Sequence, residues 1–120
     1  MVALEILIRV GTHKRYEFLH TFQLFSRPDR RVRECLGHRL FEEVKEPNRF
    51  LWHEDWSNFR ELEAHLRTEG FRELLGAIEV LGYMDEMRIV EIKDVPDPKI
   101  FTQWEKSSGA LSSEKENERR

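Results

Sequence analysis

The chain has 120 residues, 39% hydrophobic and 36% charged, with a net charge of −3 and a pI near 6.0. This length suits one domain, the apolar content is too high for a disordered chain, and the mild acidity gives no reason to expect nucleic acid as a partner. The one cysteine, Cys35, excludes an intrachain disulfide, and no run approaches the ~20 apolar residues of a membrane span.

Val2, Leu4, Ile6, Ile8 and Val10 form a wholly apolar face of a first strand, and Ala3, Glu5, Leu7 and Arg9 a mixed opposite face. Gly11 and Thr12 end that strand and cap a helix with Phe18, Leu19, Phe22 and Phe25 on one side and Leu24 pointing elsewhere. Ser26-Arg27-Pro28-Asp29 stops the helix. Arg27, Arg30, Arg31 and Arg33 then read as a solvated basic loop rather than an anion clamp.

From Cys35 two β-rich runs flank the turn Lys45-Glu46-Pro47-Asn48, which predicts a hairpin. In its first arm Leu36, His38, Leu40, Glu42 and Val44 share a face, opposite Gly37, Arg39 and Phe41. In the second arm Phe50, Trp52, Glu54 and Trp56 oppose Leu51, His53 and Asp55. Asn58 with Glu61 reads as a capping box for a helix whose stripe is Phe59, Leu62 and Leu66. Thr68-Glu69-Gly70 breaks it, and Phe71, Leu74, Leu75, Ile78 and Leu81 build a second helical piece closed by Gly82. A last strand from Met84 to Lys93 carries Met87, Ile89, Val90 and Ile92.

Residues 1–94 thus read as one domain. Residues 95–106 form an extended segment, barred from a central strand by Pro96 and Pro98, with Ile100, Phe101 and Trp104 available to dock. Residues 107–120 read as a disordered polar tail. The order β-α-β-β-α-β predicts an α+β, ferredoxin-like split βαβ fold: a four-stranded antiparallel sheet with helices on one face. Its other face is too apolar to stand bare in water.

The stretch from Phe50 to Phe71, FLWHEDWSNFRELEAHLRTEGF, places a glutamate two residues before a tryptophan, then a cap, a helix reaching His65, and a phenylalanine six residues later. With the CLG element at Cys35 and the proline-containing turn before it, this resembles the antibiotic biosynthesis monooxygenase (ABM) family. One departure is Glu34, where many relatives carry a glycine. The resemblance implies a dimeric α+β barrel: a homodimer with sheets face to face and a pocket between each sheet and its own helices. It also implies a cofactor-independent monooxygenase that uses neither metal nor flavin and acts on a small aromatic quinol or phenol.

Such a reaction needs a base, aromatic walls and exclusion of water. The catalytic candidates are His65, Glu54 and His38, since imidazole titrates near neutrality. The substrate-binding candidates are Trp52, Trp56 and Phe71. Plainer readings stand beside these: core or dimer-contact tryptophans, structural histidines, and a Glu54 paired with Arg39 or Arg88. The same fold also carries a non-catalytic module that binds small aromatics.

No metal is expected. His53, Glu54 and Asp55 are neighbours on a strand and point to alternate faces, and a lone cysteine adds little to His20, His38 or His65. A haem-degrading pattern would put asparagine, tryptophan and histidine at Leu4, His65 and Leu75, and none matches. The N-terminal MVALEILIRV lacks the basic lead and cleavage site of a signal peptide, so a reducing cytoplasmic location is the expectation.

Overall fold

The most apolar strand of the sequence becomes a central one. In the computed structural model, which describes residues 1–27 and 34–99, β1 (Val2–Val10) lies between β3 (Arg49–Trp56) and β4 (Gly82–Glu91). β2 (Cys35–Glu42) borders β3, and all three pairings are antiparallel. Helices α1 (Arg15–Phe25), α2 (Phe59–Leu66) and α3 (Glu69–Leu81) supply the rest. Leu4, Ile6, Ile8, Trp52 and Trp56 from the sheet meet Phe18, Leu62, Phe71, Leu74 and Ile78 from the helices in one core. The ferredoxin-like order expected from the sequence is the observed one.

Local chemistry explains most boundaries. The Asn58 side chain accepts the Glu61 N–H and opens α2, and the Thr68 hydroxyl accepts the Phe71 N–H and opens α3. Asn48, at φ 67°, supplies the left-handed residue that closes the β2–β3 connection. Its amide N–H donates to Glu42, which also pairs with Arg15.

The structure departs from the sequence reading at four places. Thr12 caps nothing with its side chain; a 3-10 turn, Thr12–Lys14, leads into α1 instead. A bulge between Cys35 and Gly37 breaks the alternation of β2, so Leu36 is 56% exposed, while Val44 lies past the strand end. Phe59 is half exposed and leaves the α2 stripe to Leu62 and Leu66. β4 begins at Gly82 and ends at Glu91, and as an edge strand it leaves Met87 and Ile89 partly bare.

Gly82 ends α3, with its N–H bonded to Ile78 O, and opens β4 against β1. A Cβ built there falls 2.3 Å from the Arg9 carbonyl oxygen, so backbone would have to move. Gly82→Ala is expected to cost about 1–3 kcal/mol or more, as overpacking does, and to lower the Tm by roughly 4–8 °C per kcal/mol. Gly76→Ala, with nothing within 4 Å, is the matched control and should be neutral or stabilising in the same melt.

On the face away from the helices, Glu5 accepts from Arg88 at 2.9 Å and lies 3.0 Å from His53, which in turn lies 2.8 Å from Asp55. Burial works against the Glu5 charge, but the Arg88 and His53 hydrogen bonds outweigh it and hold its pKa below the usual carboxylate value. Phe41 stands exposed beside His53, and Tyr83 stands exposed farther along the same face beside Arg9. Arg30, Arg31 and Arg33 of the basic loop, the docking candidates Ile100, Phe101 and Trp104, and the 107–120 tail lie outside the described residues. Among the described residues no helix is long and apolar enough to cross a membrane.

Candidate functional site

The alternation of β3 sends Phe50, Trp52, Glu54 and Trp56 toward the helices and His53 to the opposite face, as the sequence requires. What surrounds Glu54 was not legible. Its side chain is 1% exposed, and each oxygen accepts one indole N–H: Trp52 Nε1 donates to Oε2 at 2.9 Å and Trp56 Nε1 to Oε1 at 3.0 Å. The plainer alternative, a Glu54 paired with an arginine such as Arg39 or Arg88, does not hold. Arg39 bonds Asp55 and Arg88 bonds Glu5, both on the far face.

His38 arrives from β2, directly opposite Glu54. Its Nε2 lies 3.5 Å from Glu54 Oε2 and its Nδ1 lies 3.1 Å from Ser26 Oγ at the end of α1. Cys35 joins them: one ligand-type atom from each of Cys35, His38 and Glu54 lies within 4.8 Å of the others. Trp52 is walled by Phe22 and Phe25 at centroid distances of 5.0 and 6.3 Å. It is a core residue here.

Trp56 links this cluster to a second one. Its ring lies 4.6 Å from the His65 imidazole, which also meets the Phe71 ring at 5.6 Å. Trp56, His65, Glu34, Glu61, Ala64 and Thr68 line a cavity of about 250 Å³ between β3 and α2. That volume approaches the lower end of small-molecule pockets. Burial pushes the His65 pKa below its ordinary value, so the ring is neutral at pH 7. Its Nδ1 is buried and has no hydrogen-bond partner among the described residues. A larger hollow of about 410 Å³ beside the hairpin is ringed by Glu42, Glu43 and Glu46, and holds no histidine.

Of the six site candidates, the structure therefore gathers Glu54, His38 and Trp52 into one buried cluster, and Trp56, His65 and Phe71 around or beside the cavity. Ser26, Cys35 and Glu61 were missed as neighbours. Cys35 and His38 are three apart, a spacing that puts side chains on opposite faces of a regular strand; only the bulge brings them together.

A candidate antibiotic biosynthesis monooxygenase from Deinococcus radiodurans shares the fold with a TM-score of 0.67 at 19% identity, covering 81% of this chain and 97% of that one. A point variant of SnoaB, a cofactor-independent oxygenase from Streptomyces nogalater, superposes with a TM-score of 0.61 at 18% identity over 80% of this chain and 97% of its own. In sequence, an uncharacterised protein of Synechocystis sp. is 31% identical over 88 residues, 72% of this chain but only 60% of that relative's length. The profile of the antibiotic biosynthesis monooxygenase family matches residues 1–76, well over half of the sequence, and the chain therefore belongs to that family.

Proposed function

We propose that the protein is a cofactor-independent monooxygenase acting on a small aromatic quinol or phenol, with His65 as the base, Trp56 as the aromatic wall, and Phe71 packed behind the imidazole rather than lining the cavity. The observation that carries this reading is the cavity of about 250 Å³ in which a desolvated, neutral imidazole stacks beside an indole. A neutral histidine takes a proton without first losing one, and a flat ring held against Trp56 presents its acidic hydrogen to that base. The deprotonated ring is electron-rich enough to reduce dioxygen. One oxygen atom bonds to ring carbon and the other leaves as water once protons return: a quinol with a ring C–H plus O₂ gives the hydroxyquinone plus H₂O, and an anthrone CH₂ plus O₂ likewise gives C=O plus H₂O. Glu54 is not a second base in this scheme: its two indole bonds make it the anchor that fixes Trp56.

The test is oxygen uptake with a panel of naphthoquinols and anthrones, without added metal or flavin, alongside quenching of tryptophan fluorescence. Uptake that follows substrate supports turnover. Quenching without uptake across the panel points instead to a non-catalytic binder of the same ring class.

The proposal includes a homodimer built on the sheet face that carries Glu5, His53, Phe41 and Tyr83. Two copies meeting there would bury roughly 2,000 Å² or more in total, the range of obligate dimers. Light scattering at micromolar concentration should return about twice the 14.5 kDa chain mass; a single-chain mass would rule this assembly out.

A further inference from the structure

We propose that Cys35, His38 and Glu54 form a binding site for a borderline divalent cation, zinc being the best match, separate from the His65 cavity. Thiolate, imidazole and carboxylate together suit zinc better than calcium or magnesium, which take oxygen alone.

Three observations converge on it. The first is spacing. His38 Nε2 and Glu54 Oε2 stand 3.5 Å apart, long for a hydrogen bond. It matches the roughly 3.3–3.5 Å between two ligand atoms held tetrahedrally at about 2.0–2.2 Å from one zinc ion. All three ligand atoms lie within 4.8 Å of one another, so Cys35 Sγ has about 1 Å to close to reach tetrahedral spacing, within the range of a χ1 adjustment.

The second is the backbone. The bulge between Cys35 and Gly37 is what turns Cys35 to the helix side, where His38 and Glu54 already point. The third is the outer layer. Ser26 Oγ holds His38 Nδ1, which fixes the ring with Nε2 toward Glu54, as metal-binding imidazoles are held. The two indole N–H groups take one acceptor position on each Glu54 oxygen and orient the carboxyl group, leaving further lone pairs for an ion.

On binding, the Cys35 thiol loses its proton to solvent and the thiolate becomes a ligand; a fourth position stays open for water. The ion would tie the start of β2 to the C-terminal end of β3, beside the indole that walls the cavity. It is not a participant in the oxygenase chemistry, and its absence would not impair the His65 reading.

The experiment is a Co²⁺ titration of the reduced full-length protein. One equivalent should bind with a sulfur-to-cobalt charge-transfer band in the near ultraviolet, tetrahedral visible bands, and quenching of the neighbouring tryptophans. Added Zn²⁺ should displace it. Cys35→Ser should abolish the charge-transfer band, and His38→Gln should weaken binding more than the 10–100-fold typical of losing an outer partner. Ser26→Ala removes only such a partner, so it keeps the band and binds about 10-fold more weakly. His65→Ala, which lies outside the three ligands, should leave the cobalt affinity and the charge-transfer band unchanged. No binding at micromolar cobalt, or a spectrum that survives Cys35→Ser and His38→Gln, would overturn the proposal. Should either of those variants fail to fold, Ser26→Ala decides: affinity equal to the wild type would also overturn it.

Discussion

Glu54→Ala should melt at least about 12 °C below the wild type, or fail to fold at 37 °C. The side chain is 1% exposed and is the acceptor for two buried indole N–H groups. Deleting it orphans both donors at about 1–3 kcal/mol each and adds a cavity, for a sum of roughly 3–6 kcal/mol. A chain of this size has only about 5–15 kcal/mol of stability to lose. Urea denaturation should show a lower midpoint with an unchanged slope, since the same surface is exposed on unfolding. Glu54→Gln keeps one carbonyl oxygen, satisfies one indole, and should fall between. A loss below about 1 kcal/mol for the alanine variant would show that the indole bonds are replaced by other partners and contribute little.

His65→Ala should lower turnover by about 10²–10⁴-fold while quenching by substrate persists, because a general base acts in the transition state. The pH profile carries the sharper signature. Burial holds the His65 pKa below the ordinary 6.5, and the active form is the neutral one. The rate should therefore rise with pH on a limb lying below 6.5 and stay flat above it, in contrast to an exposed imidazole. Stability carries the same sign. The unfolded chain takes up a proton on this side chain as pH drops through 6.5, whereas the folded protein resists until lower pH. Stability from this group is thus complete above 6.5 and drains below it, and His65→Phe should flatten that slope. A rate limb centred above pH 7 would remove His65 as the base.

The elements were legible because they rest on period. Five apolar residues alternating in β1, and Phe71, Leu74, Ile78 and Leu81 in α3, leave little choice of face, and Asn58 and Thr68 announce their helices by cap chemistry. The failures are breaks in period. The bulge after Cys35 leaves no mark in composition, so strict alternation puts Leu36 on the wrong face. Which face Glu54 takes was readable; what it bonds was not, because indole N–H direction is set by packing of Trp52 and Trp56 against three separate elements. Ser26 looked like a helix stop, and its contact with His38 depends on how α1 lies across the sheet.

The strand order also fixes when the chain can fold. β1 is made well before β4, yet β4 is one of its two neighbours, with Val2 facing Glu91 and Val10 facing Gly82. At about 5–20 residues per second of synthesis, β1 waits several seconds for that partner. Through the interval Leu4, Ile6 and Ile8 sit in a ladder that is at best half complete, and so many distant pairings make for slow folding. The growing chain on the ribosome, more than the finished protein, is the form in which this apolar strand invites aggregation.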